Sequence, residues 1–392
     1  MKKISLFWML IFNLTFSCIN KNPSFGNGMD LYTLMGFATF SVASSLGIEN
    51  SRYSHTTTLL PNGKVLIVGG SDGSALASSE LYDYYTDSFS GTGSLNKARF
   101  YHTATLLNNG KLLIVGGQDS TEVFDTAELY DPSTGVFTSI TSAMSSPRRN
   151  HTSTLLSDGR VLITGGSSVT SIINPTVLSS VDIYDPNTET FSPNSSNLTE
   201  IRHKHSATML ASGKVLIVGG EDDSELKLSS AELYDLTSNT FTATTSPLQG
   251  DGRSDHTASL LLNGKVLIAG GRLNSGEYLT GAELYDPTTD GFSFLSNQNS
   301  LNSDRAYHSA TLLQTGKVLI TGGSTSATDR TDELYDPSNE QFVASSSPIS
   351  SYYHTATLLP NSKVFIVGGN ESGSATNKTY LYDLNTGSWS QR

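Results

Sequence analysis

The chain has 392 residues, a formal net charge of −12 and 15% charged residues, and it contains one cysteine. So acidic and lightly charged a chain lacks the basic footprint that nucleic acid requires and has no electrostatic grip on anionic lipid. A single cysteine excludes an intrachain disulfide.

The first residues read as an address. Met1-Lys2-Lys3 is a short basic start, residues 4–16 are mostly apolar, and Ser17-Cys18 follows. This is the pattern of a signal peptide over residues 1–17. The apolar run is shorter than the roughly 20 residues that a spanning helix needs. A cysteine directly after such a run resembles the lipobox of bacterial lipoproteins. That resemblance implies lipidation of Cys18 and a membrane anchor in the cell envelope; ordinary secretion is the alternative. The box departs from the usual pattern in one respect: Leu14 stands four residues before the cysteine, not three, with Thr15-Phe16-Ser17 between. Residues 19–28 are rich in Asn, Pro and Gly and read as a tether. Residues 31–48 are moderately apolar but carry Thr33, Gly36, Thr39, Ser41, Ser44, Ser45 and Gly47, too polar a set for a transmembrane helix. This segment reads as a strand or as a short docking helix. Residues 18–50 thus form the lipidated start, the tether and an apolar segment.

From Arg52 to the end the chain repeats itself seven times. A His falls at 55, 102, 151, 205, 256, 308 and 354. Gly pairs keep step at 69–70, 116–117, 165–166, 219–220, 270–271, 322–323 and 368–369. Tyr-Asp pairs begin at 82, 130, 184, 234, 285, 335 and 382, and each copy closes on an aromatic, from Phe89 to Trp389. A fixed period of this size is the signature of a repeat architecture. Each copy holds four strand signals. His-Thr-x-Thr-Leu-Leu has small middle residues suited to a crowded axis. A Val-Leu-Ile-Val-like run is apolar at successive positions, as in a strand buried on both faces. Glu-Leu-Tyr and the closing aromatic supply the third and fourth. Gly turns join the first two strands, and Asp-Pro-x-Thr variants join the last two. One such sheet cannot bury both its faces alone, whereas seven packed around an axis do.

The Gly-Gly, Tyr-Asp and aromatic series, at this period, resembles the kelch repeat. The resemblance covers residues 51–392. It implies an all-β fold, a seven-bladed β-propeller of four-stranded antiparallel blades like that of galactose oxidase and the kelch-domain proteins. The first copy begins with its first strand and the last ends with its fourth, so closure is direct or is helped by residues 31–50. The copper site of galactose oxidase needs a Cys crosslinked to a Tyr within the propeller. The one cysteine here lies outside it, which excludes that chemistry.

Turns alternate between the two ends of an antiparallel blade. One end is nearly constant. It carries Lys64, Lys111, Arg160, Lys214, Lys265, Lys317 and Lys363, and Asp83, Asp131, Asp185, Asp235, Asp286, Asp336 and Asp383. These opposite charges interleave and cancel. The other end varies in loop length and content. Its longest loop, 167–180, displays Ile172, Ile173, Pro175, Val177 and Leu178, and an acidic one reads Glu221-Asp222-Asp223-Ser224-Glu225. Positions that drift among repeats are free to specialise, so a site belongs at this end.

Seven histidines in one register are spread around an axis, whereas a metal draws three or four ligands to one point. They read as structural hydrogen-bonding groups, with no metal and no cofactor. Three residues before each His stands an Arg, and a Glu or Asp precedes Leu-Tyr-Asp (Ile-Tyr-Asp in the third copy). In the last copy both are lost, to Ser351 and Tyr380. Joint loss predicts that they pair within each blade. The two residues before each His vary, and from them come the candidate ligand-binding residues Tyr101, Arg149, Asn150, His203, Lys204, Asp255, Tyr307 and Tyr353. Aromatic rings among hydrogen-bonding groups suit a glycan or a protein partner's loop. No catalytic residue is singled out, as no Ser-His-Asp arrangement, phosphate loop or zinc spacing stands out. The expectation is an extracytoplasmic, membrane-tethered binding module engaging a protein or glycan. The alternative is a metal-free carbohydrate enzyme of the kind represented by sialic acid mutarotases.

Overall fold

The computed structural model describes residues 47–171, 175–295, 300–326 and 331–392. The signal peptide, Cys18, the tether and most of the apolar segment lie outside these residues, as do Ile172 and Ile173. Among the described residues every regular element is a β-strand. Seven four-stranded antiparallel sheets each take their strands from one contiguous stretch, in simple meander order. We number these blades 1 to 7 along the chain. Blade 4 is representative, with strands Ser206–Met209, Val215–Val218, Ala231–Asp235 and Thr240–Ala243.

First strands lie side by side around the axis, and Thr56–Leu59 of blade 1 meets Thr355–Leu359 of blade 7 to close the ring. Their Thr, Ser and Ala side chains let seven backbones approach. The second strands are buried on both faces, as their unbroken apolar runs require. Seven hydrophobic clusters fill the seven gaps between blades. Each fully buried Val, Leu or Ile contributes about 1.5–3 kcal/mol, so the blades are held chiefly by their neighbours. The cluster between blades 7 and 1 includes Ile48. The same place between other blades is filled by Leu95, Leu198 or Leu301, four residues before the blade's Arg. Closure is therefore direct through strands and is completed by the last residues of the apolar segment.

Polar groups bind the same joints. Each repeat histidine offers Nε2 to a Thr or Ser hydroxyl that opens the first strand of the preceding blade. The seven bonds run from Thr56–His102 at 3.0 Å to Thr355–His55 at 2.9 Å. Burial holds all seven imidazoles below their ordinary pKa, His102 and His256 at about 3 and His354 at about 4. They are neutral structural groups.

The expected ion pairs are present in all six blades that carry the residues, from Arg148–Asp182 at 2.5 Å to Arg99–Glu128 at 3.1 Å, with both partners buried. The arginine also donates to the carbonyl of the first Gly of the pair, as Arg202 does to Gly219 at 2.6 Å. The acid also accepts an amide from the incoming loop, as Glu232 does from Thr199. In blade 7 the Ser351 hydroxyl takes over the bond to Gly368, at 3.0 Å.

At the constant end, five Lys–Asp pairs lie within single blades at 2.9–3.8 Å. Each Asp of the Tyr-Asp pairs accepts the amide two residues on, fixing the turn into the fourth strand. This end is committed to folding.

Candidate functional site at the variable mouth

The residue just before each histidine is left-handed although none is a glycine. Ser54, Tyr101, Asn150, Lys204, Asp255, Tyr307 and Tyr353 all have φ between 51° and 58°. That conformation is costly for an L-residue, and here its reason is visible. The amide of each donates to the carbonyl of the one before it around the axis. Tyr101 gives to Ser54, Asn150 to Tyr101, Lys204 to Asn150, Asp255 to Lys204, Tyr307 to Asp255, Tyr353 to Tyr307 and Ser54 to Tyr353, at 3.0–3.3 Å. Seven peptide groups thus form a closed collar, and their side chains are held at the mouth by the backbone itself.

The residue before each collar position forms an isolated bridge with the residue after the Gly pair of the same blade. His203 bridges Glu221 and Ser254 bridges Arg272. The second member of this bridge was not among the candidates, and it matters most in blades 4 and 5. Elsewhere it is Ser71, Gln118, Ser167, Ser324 or Asn370, without charge. A charged residue directly after a Gly pair was the signal in the sequence.

Two hollows result. The shallower, about 260 Å³, lies over the axis and is lined by Tyr101, Asn150 and Tyr353, with Ser54 and the edges of four structural histidines. Tyr353 packs against Tyr101 and Tyr307, with ring centroids 5.9 and 4.5 Å away. The larger, about 340 Å³, lies off-axis across blades 3 to 5. Its walls include Arg149, His203, Lys204, Glu221, Lys227 and Arg272, with Pro175 and Glu225 at its margin. The structure therefore divides the candidates. Arg149, His203 and Lys204 share the larger hollow, Tyr101, Asn150 and Tyr353 share the axial one, and Asp255 and Tyr307 stand between them. The Tyr307 hydroxyl accepts from Arg272 at 2.9 Å.

Glu221 is the hub of the larger hollow. It is buried, it pairs with Lys204, and it receives Lys227 Nζ at 2.8 Å. His203 Nε2 lies 3.1 Å from the same carboxylate. Although burial opposes its ionisation, these cationic and hydrogen-bonding neighbours hold its carboxyl far below the usual range. Asp255, one blade on, is pushed up to about 6 by burial. Arg149 is buried as well, and among the described residues its guanidinium donates to the carbonyls of Val169 and Ser171, at 2.9 and 3.0 Å. The acidic loop of the sequence is thus the wall of a predominantly cationic hollow. Among the described residues no cluster of His, Cys, Asp and Glu offers a metal site, and the repeat histidines are spent on the joints between blades.

Fold and mouth together define a seven-bladed β-propeller whose variable end carries a charged recess. The Attractin/LZTR1 beta-propeller family matches residues 174–392, and the KLHDC2/KLHL20/DRC7 Kelch-repeats domain matches residues 39–210. The chain belongs to this family of kelch-repeat propellers. A curated relative, F-box/kelch-repeat protein At2g44130 of Arabidopsis thaliana, is 30% identical over 101 residues. That match spans 26% of this chain and 25% of the relative, about a quarter of its length. Among solved structures, YjhT aligns with a TM-score of 0.60 at 17% identity, covering 76% of this chain and 99% of its own. A fungal alcohol oxidase of the AA5 family, in complex with copper, aligns with a TM-score of 0.66 at 17% identity, covering 85% and 74%. At such identity these two share the fold alone.

Proposed function

We propose that this chain is a binding module that engages a protein or glycan through the variable mouth, and that it works outside the cytoplasm, tethered to a membrane by a lipid on Cys18. Membership of the kelch propellers supports the general reading, an interaction module. One observation carries the choice of face. The sevenfold pattern holds at the Lys–Asp end and breaks at the mouth, where buried charged residues gather around a hollow of about 340 Å³. Folding does not need that asymmetry, since blades 1, 2 and 6 stand without it.

A photo-crosslinking residue tests this directly. Placed at Leu226, which is exposed beside the hollow, it forms adducts with the partner in intact cells; placed at Lys317, at the opposite end, it does not. Adducts from Lys317 alone would reverse the assignment. A second reading, a metal-free enzyme acting on a carbohydrate, draws support from Glu221 and Asp255. Neighbouring carboxyls pushed in opposite directions are a mark of acid–base sites. Loss, upon Asp255→Asn, of the protein's acceleration of the optical-rotation change in freshly dissolved anomers is the outcome that reading requires.

A further inference from the structure

The seven joints of the ring are unequal. Between blades 6 and 7 the apolar cluster has five buried members among the described residues, against eight to eleven at the other six joints. Tyr382 of blade 7 is half-buried, whereas its six counterparts are at most 1% exposed. Trp389, whose ring centroid lies 4.9 Å from that of Tyr382, is half-buried too. Blade 7 also lacks the internal Arg–Glu pair, with Ser351 and Tyr380 in its place.

A carboxyl is buried at this joint. The residue before the acid of the third strand faces the next blade, as Ala282 faces Phe342 in the cluster between blades 5 and 6. It is Ser79, Ala127, Val181, Ala231, Ala282 and Thr379 in the other blades, but Asp332 in blade 6, 0% exposed. Blade 7 answers with Trp389 where the other blades have Phe. The Ser347 hydroxyl, the Gly322 amide and the Trp389 indole surround the carboxyl. Yet neither of its oxygens, nor Trp389 Nε1, completes a hydrogen bond among the described residues, and no other carboxyl there has both oxygens buried and unbonded. The arginine near it, Arg305, is spent on Glu333 at 2.8 Å and on the carbonyls of Gly322 and Thr331. An ionised carboxylate so placed has neither solvent nor counter-charge, whereas the neutral acid is tolerated. Burial accordingly pushes Asp332 up to about 7.

We propose that the joint between blades 6 and 7 is a proton-operated latch, closed while Asp332 holds its proton and parting at the outer strands of blade 7, Thr379–Asp383 and Ser388–Gln391, once it ionises. Sub-global opening begins where buried apolar contact is thinnest. The inner strands stay joined by the His354–Ser309 bond at 2.9 Å. The other titratable groups at the joint keep their state between pH 6 and 8.5. Arg305 remains with Glu333, burial raises the Tyr380 and Tyr382 phenols, and His354 is held at about 4. In the parted state the Asp332 carboxyl regains water and an ordinary pKa of about 4. The closed state thus binds the extra proton, so opening grows as pH rises to about 7 and levels off above it.

Two readouts on the full chain test the latch. Trp8→Phe leaves Trp389 as the one indole. Its fluorescence titrates with a midpoint at about pH 7, and Asp332→Ala, which places there the residue of blades 2, 4 and 5, abolishes the titration. Hydrogen exchange, corrected for intrinsic rates, shows the amides of Thr379–Asp383 and Ser388–Gln391 opening about tenfold more often at pH 8.5 than at pH 6. The amides of Ala231–Asp235 and Thr240–Ala243 in blade 4 do not change, and Asp332→Asn, close in shape to the protonated acid, removes the difference in blade 7. A fluorescence titration that persists in Asp332→Ala, or none between pH 5.5 and 8.5, overturns the assignment to Asp332. Exchange that is unchanged in blade 7, or that changes equally in blade 4, overturns the latch.

Discussion

Thr355 and His55 stand 300 residues apart in the chain and meet at 2.9 Å, hydroxyl to imidazole Nε2, across the joint between blades 7 and 1. The same bond is made at the six other joints. The last joint is therefore chemically equivalent to the rest, and the ring closes without a blade shared between distant parts of the chain.

That repetition makes stability depend on pH. Each of these histidines is held neutral by burial, below its ordinary value of 6.5. A group whose folded pKa is depressed lets the unfolded chain bind the extra proton, so its contribution is complete above 6.5 and is lost as pH falls below it. Each such proton is worth about 1.4 kcal/mol per pH unit. Two carboxyls oppose the trend: Asp332 is raised to about 7 and Asp255 to about 6, both by burial, and they favour the folded state as pH falls. These seven, joined by His203, which burial also holds low, against two carboxyls predict a net loss of several kcal/mol per unit below pH 6. Urea unfolding between pH 8 and 5 checks it, and a flat profile would contradict it.

Removing one half of a blade ion pair strands a buried charge. Glu128→Gln leaves Arg99 without a counter-charge and also weakens the bonds from the Asn96 and Lys97 amides. The expected cost is about 3–5 kcal/mol. Arg99→Met with Glu128→Leu costs less than either change alone, as blade 7 manages with Ser351 and Tyr380. A double-mutant cycle in denaturant measures the coupling.

The first Gly of each pair lies against the next blade. A Cβ on Gly165 would sit 2.3 Å from the Arg202 carbonyl oxygen and 3.0 Å from His205 Cε1, at φ +59°. Gly165→Ala combines left-handed strain with a clash that only separation of blades 3 and 4 relieves. It is expected to cost about 3 kcal/mol, read as a lowered urea midpoint with an unchanged slope.

The tether is tested by chemistry at one residue. If Cys18 carries lipid, the wild-type protein incorporates labelled palmitate and partitions into detergent, and Cys18→Ser abolishes both while leaving the propeller folded. Labelling that survives the substitution would refute the assignment.

The architecture was legible in the sequence because folding marks recur in every blade. The second strands, the Gly pairs and the histidines are identical problems solved seven times. Even the Arg–Glu pairing could be read, because Ser351 and Tyr380 depart together. The site was legible only in part. Arg149, His203 and Lys204 showed themselves by failing to repeat, but Arg272 and Lys227 lie 68 and 23 residues beyond Lys204 and reach the hollow by tertiary packing. In the sequence Glu221 stands as the first residue of an acidic loop. Its bridge to His203 instead turns it inward, and its burial among lysines reverses the charge that the loop alone suggests. The collar was not legible at all, since nothing in Ser, Tyr, Asn, Lys or Asp marks a left-handed residue shared by seven blades.

Hydrogen exchange across the full chain, with and without the bound partner or ligand, tests the central claim most directly. The variable mouth as binding end predicts new protection at the collar amides of Asn150, Lys204 and Asp255 and in the loops at 167–171 and 221–227. Protection confined to the turns of the Lys–Asp end, around Lys214, Lys265 and Lys317, would contradict it.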